Sequence, residues 1–103
     1  EALNISQDNI PARYSLGEAF PNPFNPTTKI SYELPSTEFV NIDIYNLMGR
    51  HIKSLVSMNQ DPGYRTIEWN ATNDSNQPVS AGMYIYTIQA GEFRKTRKMV
   101  LLK

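Results

Sequence analysis

Cysteine is absent from this chain, and that removes disulfide bonds, thiolate catalysis and cysteine-based zinc sites together. Long apolar runs are missing as well. The longest, Met99–Leu102, is far short of the ~20 residues needed to span a bilayer as a helix and reads as the end of a strand. Net charge is lacking too, since ten basic residues balance ten acidic ones. That neutrality excludes the broad electrostatic attraction a nucleic-acid binder relies on. Histidine occurs once, as His51. A single imidazole cannot build a nucleophile–base pair with a second base, so it reads as a surface side chain. The beginning of the sequence shows no charged region followed by an apolar stretch, and no signal peptide is expected there. An exported protein carrying this chain would have lost its signal, or the chain would be a fragment.

At 103 residues with 40% hydrophobic and 19% charged content, the chain is globular and of single-domain size. Residues 1–13, EALNISQDNIPAR, have no period and few apolar groups, and read as a linker or lead-in to a domain over 14–103. YSLGEAF is a candidate first strand. It runs into Pro21-Asn22-Pro23-Phe24-Asn25-Pro26, where alternating prolines fix their own torsions and bias their predecessors to extended geometry. This is a stiff corner, and Phe20 and Phe24 are both expected to pin it onto the core.

Beyond the corner the pattern has period two, as half-buried antiparallel strands require. Ile30, Tyr32 and Leu34 alternate with Lys29, Ser31 and Glu33, and Val40, Ile42 and Ile44 alternate with Asn41, Asp43 and Tyr45. Asn46–Gly49 supplies a turn in which Gly49 takes a positive φ. A strand over Arg50–Val56 and a polar loop over Ser57–Gly63 follow. Tyr64–Trp69 resumes the alternation, with Ile67 and Trp69 on one side. NATNDSNQP is a long turn-forming connection, Met83–Ala90 is rich in sheet-favouring Tyr, Ile and Thr, and Gly91-Glu92 turns into a last strand, Phe93–Leu102. Seven short strands without a helical period predict an all-β, immunoglobulin-like antiparallel sandwich.

The residues offer no cofactor or metal site that outweighs its structural alternative. Asp43, Asp61, Glu68 and Asp74 fall on different strands and loops, and read as solvated charges rather than a catalytic carboxylate pair. Asn73–Gln77 carries oxygen-bearing side chains, but it departs from calcium-loop spacing and reads as an Asn/Asp turn. The Asn-x-Ser/Thr triplets at Asn4, Asn70 and Asn73 reflect Asn-rich loops. Trp69, Tyr84 and Tyr86 are weighed as a carbohydrate platform against core packing, and packing is favoured. Arg94, Lys95, Arg97, Lys98 and Lys103 crowd the last strand. Arg94 and Lys95 read as charges that discourage pairing at a sheet edge, whereas edge protection and partner recognition both stand for Arg97 and Lys98.

YSLGEAFPNPFNPTTKISYELP at 14–35 resembles the opening of the type A C-terminal sorting domains of the type IX secretion system, also classed as FlgD-like immunoglobulin modules. VNIDIYNLMGRHIKSLV at 40–56 is similar to the family's paired strands about a glycine turn. GYRTIEWNATNDSNQPVSAGMYIYTIQAGEF at 63–93 resembles its order of Trp69, polar loop, Gly82 and Tyr-rich strand. TRKMVLLK at 96–103 is similar to its basic-then-apolar end. Two departures affect turn chemistry: Asn70-Ala71 stands where Asp-Gly is frequent, and Ser75-Asn76 where a Gly is common. The resemblance implies a non-catalytic module that needs no cofactor, borne by a secreted or cell-surface bacterial protein exported through the periplasm. Its implied partners are secretion machinery or surface-anchoring proteins. Recognition would fall on Arg97, Lys98, Met99, Val100, Leu101, Leu102 and Lys103, read by strand addition. The competing expectation is self-association by strand pairing, with open edges and an extended N-terminal segment joining one copy to the next.

Overall fold

The computed structural model describes residues 10–102, so the greater part of the lead-in and the expected contribution of Lys103 lie outside the described residues. Seven strands form two antiparallel sheets. They are β1 (Ser15–Leu16), β2 (Thr28–Leu34), β3 (Glu38–Asn46), β4 (His51–Gln60), β5 (Gly63–Trp69), β6 (Gly82–Ala90) and β7 (Phe93–Leu101). One sheet has the order β1-β2-β5 and the other β4-β3-β6-β7.

Alternation in the sequence becomes the core directly. Ile30, Tyr32 and Leu34 from β2 face Val40, Ile42 and Ile44 from β3 and Tyr84, Tyr86 and Ile88 from β6, and all are buried. Trp69 lies in the centre against Phe24 and Tyr84, with ring centroids 5.7 Å and 5.3 Å away. Its indole N–H donates to the Thr72 carbonyl at 2.9 Å. The Tyr86 and Tyr84 hydroxyls donate to the Gly17 and Ser80 carbonyls. Interior polar atoms are thereby satisfied, which removes the main penalty for burying aromatic residues with polar tips. The Trp69, Tyr84 and Tyr86 rings are interior, so these residues form no carbohydrate platform.

Three expectations are corrected. Phe20 does not pin the corner, because it is 78% exposed whereas Phe24 is 1% exposed. Ser57–Gln60 is not loop but the second half of β4, paired with Glu38–Asn41. A register shift opposite Ile42 and Asp43 leaves Leu55 and Val56 side by side, which breaks the period-two signal at that point. The connection to β5 therefore shrinks to Asp61-Pro62. Finally, β7 ends at Leu101 rather than Leu102. The turns follow expectation: Gly49 has φ 83° and Gly91 φ 61°, and Gly82 opens β6. Gly91 is needed for its torsion; the nearest atoms to a β-carbon there belong to the flexible end of the Glu38 side chain, which can move aside.

Candidate functional site

β7 is the free edge of its sheet, and its side chains divide cleanly. Met99 and Leu101 point inward and are buried, so their contribution is to anchor the strand. Arg94, Lys95, Lys98 and Leu102 are exposed and Val100 is half-buried. Arg97 turns across the sandwich: its Nε donates to the Leu16 carbonyl at 2.6 Å, and its guanidinium stands 3.7 Å from the well-exposed Glu18. A charged donor to a backbone carbonyl ties β1 to β7, a role the charge pattern alone does not reveal.

The stiff corner lies along the outer edge of β7. Phe24 N donates to Val100 O at 2.9 Å, and Leu102 N donates to Phe24 O at 2.8 Å. Asn22 Oδ1 accepts from Val100 N at 2.9 Å, and Asn22 Nδ2 reaches Lys98 O at 3.4 Å. The corner is itself held by Thr28, fully buried, whose hydroxyl donates to Pro21 O at 2.7 Å. Of the remaining motif residues, Pro23, Asn25 and Pro26 are exposed spacers that carry Asn22 and Phe24 to their places. From Lys98 to Leu102 the main-chain edge is thus occupied from within the chain. Toward Arg94 and Thr96, whose main-chain groups face away from β6, it has no partner among the described residues.

A second constellation lies at the other edge of the same sheet. The connection after β5 folds back over β4: Asp74 N donates to Ile52 O at 3.1 Å, and Asp74 Oδ1 accepts from Ser54 N at 3.0 Å. That brings Asp74 to His51, with Oδ2 3.6 Å from Nδ1, while Asp43 Oδ1 is 3.0 Å from Nε2. Asp43 and Asp74, scattered in sequence, therefore meet at one imidazole whose two nitrogens are both engaged. Asp61 and Glu68 stay apart from them. The turn reading of Asn73–Gln77 holds: Asn73 Oδ1 accepts from Ser75 N and Gln77 N, and Asn76 Oδ1 accepts from Lys53 Nζ. His51 also borders an open groove of about 590 Å³ between the β3–β4 turn and residues 78–84, with Leu47, Met48 and Met83 on its walls. Among the described residues no group of three or more His, Cys, Asp or Glu is arranged to hold a metal ion. Among the same residues no helix is long and apolar enough to cross a membrane.

The profile of the secretion-system C-terminal sorting domain matches residues 18–102, which takes in the corner, Trp69 and all of β7. The chain belongs to this family. Sorting domains of this kind are non-catalytic signals carried by type IX secretion substrates, and they mark the protein that bears them for export to the cell surface or beyond. Among solved structures the sorting domain resembles part of dimeric latent PorU from Porphyromonas gingivalis, with TM-score 0.67, 19% identity, and coverage of 89% of this chain and 10% of that one. It also resembles part of PorZ, a surface component of the type IX secretion system of the same organism, with TM-score 0.55, 15% identity, and coverage of 87% and 11%. A segment of the Pseudomonas fluorescens DNA glycosylase AlkC shares the fold, at TM-score 0.50 and 14% identity over 89% of this chain and 31% of that one. These likenesses concern the fold alone, and the sorting domain spans about a tenth of the length of the two Porphyromonas proteins. A search of curated protein sequences returns no match.

Proposed function

We propose that the domain directs its parent protein from the periplasm across the outer membrane by presenting the outer face of β7 to the secretion or surface-anchoring machinery. The observation that carries this reading is the division of labour along the strand. Met99 and Leu101 fix it in the core, Arg97 ties it to the opposite sheet, and the corner occupies its edge. What remains for a partner over 97–102 is the side-chain surface of Lys98, Val100 and Leu102, a cation followed by two aliphatic groups. Strand addition over the same residues first requires the corner to leave, because Val100 and Leu102 already have their hydrogen bonds.

The test exploits this division. Deleting the last six residues removes core anchors together with the surface, so loss of export would not separate signal from fold. Lys98→Glu, Val100→Ser and Leu102→Ser combined change the outward surface and spare Met99 and Leu101. In a reporter fusion expressed in a bacterium with the type IX system, this variant is expected to remain cell-associated, with a melting temperature within about 5 °C of the parent. Normal export of the triple variant would overturn the reading.

A further inference from the structure

The two sheets have four edges, and three of them are protected over at least part of their length. β1 is only two residues long, and its outward Leu16 carbonyl is taken by Arg97. β7 is covered by the corner over 98–102 and lined by Arg94 and Lys95 elsewhere. β4 is irregular and covered by Asp74 at Ile52 and Ser54. Such coverage, bulging and like charge are the devices by which sheets avoid pairing with other chains.

β5 is neither bulged nor covered by another segment of the described residues, and its two charges, Arg65 and Glu68, are of opposite sign. Its seven residues pair with β2 from Thr28↔Trp69 to Leu34↔Gly63 without a register shift. Gly17 N donates to Ser31 O, and Phe20 and Lys29 exchange hydrogen bonds, so the odd residues of β2 face β1 and the even ones face β5. On β5 the main-chain groups of Tyr64, Thr66 and Glu68 consequently face away from β2, and among the described residues they have no backbone partner. The strand interior carries no proline, lysine or bulge.

We infer that β5 pairs antiparallel with β5 of a second copy about a two-fold axis at Thr66, joining the two three-stranded sheets into one. The register follows from the residues. Centred on Thr66, all three outward residues find partners: Thr66 opposite Thr66, and Tyr64 opposite Glu68 at both ends, each pair exchanging both N–H···O bonds. On the exposed face the Ser31–Thr66 hydroxyl contact of 3.2 Å continues into its symmetry mate, and each Tyr64 phenol lies beside a Glu68 carboxylate. The Arg65 guanidinium is drawn back to the Asp61 carbonyl at 3.0 Å, clear of the axis. Gly63 falls opposite Trp69, so the bulkiest residue meets the smallest. Centring on Glu68 or Arg65 sets like charges face to face, and centring on Ile67 leaves Tyr64 opposite Asn70, outside the strand. A second copy is therefore the occupant this edge fits.

One strand pair buries little beside the ~1,600 Å² of a standard interface, so association should depend on concentration. Sedimentation velocity on the 103-residue chain from about 10 µM to about 1 mM should show mass rising from monomer toward dimer. Thr66→Lys sets two ammonium groups opposite each other on an exposed face and is expected to raise the dissociation constant at least tenfold without altering the melting temperature. Because the chain has no cysteine, Thr66→Cys gives a register readout. Its two α-carbons stand about the axis at the ~5.5 Å spacing of a hydrogen-bonded pair, within disulfide range, so the thiols should cross-link under mild oxidation, whereas Tyr64→Cys should not. A strict monomer throughout the range overturns the proposal, and so does cross-linking at Tyr64→Cys as fast as at Thr66→Cys.

Discussion

Replacing Phe24 with alanine removes a ring that is 1% exposed, touches Trp69 at a centroid distance of 5.7 Å, and belongs to the residue whose main chain lies along the edge of β7. Truncating a buried phenylalanine costs about 3–5 kcal/mol, counting both the lost transfer energy and the incompletely closed cavity. Loss of the aromatic pairing with Trp69 is part of that figure. A domain of this size has about 5–15 kcal/mol of stability in all, so the variant should be strongly destabilised. At about 4–8 °C per kcal/mol, the melting temperature should fall by about 12–40 °C. Phe20, four residues earlier and 78% exposed, is the internal control. Phe20→Ala should stay within about 0.5 kcal/mol of the parent. Urea denaturation followed by Trp69 fluorescence measures both. Amide exchange adds a local readout: the Val100 and Leu102 amides, which donate to Asn22 Oδ1 and Phe24 O, should exchange faster in Phe24→Ala than the global destabilisation accounts for. Equal stabilities for the two variants would refute the idea that the corner is held by one ring and that this ring keeps the terminal strand covered.

Arg97→Met keeps the aliphatic stem but removes the donor to Leu16 O, and should cost about 1–2 kcal/mol in urea melts; Glu18→Gln, at a well-exposed partner, should change stability by less than about 0.5 kcal/mol. Ala71 holds φ 63°, where an L-residue is strained by about 1–2 kcal/mol, yet its methyl is buried. Ala71→Gly should therefore come out within about 0.5 kcal/mol of neutral, whereas Ala90→Gly in β6 should lose about 1–2 kcal/mol by the same assay. Burial raises the hydroxyl pKa of Tyr32, Tyr84 and Tyr86 above the usual 10.0, and the hydrogen bond to Glu38 does so for Tyr14. With folded values above unfolded ones, their contribution is fully present below pH 10.0 and is lost as pH rises through the folded values, which stability measurements and phenolate absorbance in alkali should both show.

Much of the fold was legible because the side-chain period of a strand is a direct image of its two environments. Ile30–Leu34 and Val40–Ile44 declare their faces, and Gly49 and Gly91 mark turns through torsions other residues avoid. β4 runs further than its sequence pattern suggests, because its register shift breaks the alternation at Leu55 and Val56 and because Ser57–Gln60 takes its strand geometry from pairing with β3 rather than from its own polar composition. The two corner phenylalanines were indistinguishable for a related reason. Composition places an aromatic residue near a core, but only the path of the chain past Pro21 and Pro23 decides which ring enters it. Within the candidate site the basic cluster was visible and its partners were not. Arg97 finds a carbonyl 81 residues away in sequence, and His51 finds Asp43 on the neighbouring strand and Asp74 on a loop.

The cover on β7 constrains how a terminal strand can serve as a signal. An exposed edge would offer hydrogen bonds to any extended segment, and affinity from main-chain bonding carries little sequence information. Asn22 and Phe24 close that edge, so on the proposed reading discrimination would rest on the side chains of Lys98, Val100 and Leu102. The corner then has a role beyond fold stability. An Asn22→Ala variant loses the acceptor for Val100 N while the core stays intact, and should cost about 1 kcal/mol. If recognition reads side chains on a covered strand, this variant exports at nearly the parental level, because Lys98, Val100 and Leu102 remain in place. If recognition instead adds a strand over 98–102, partial uncovering should raise binding to the machinery. Export of Asn22→Ala beside the Lys98/Val100/Leu102 triple variant therefore separates the two modes.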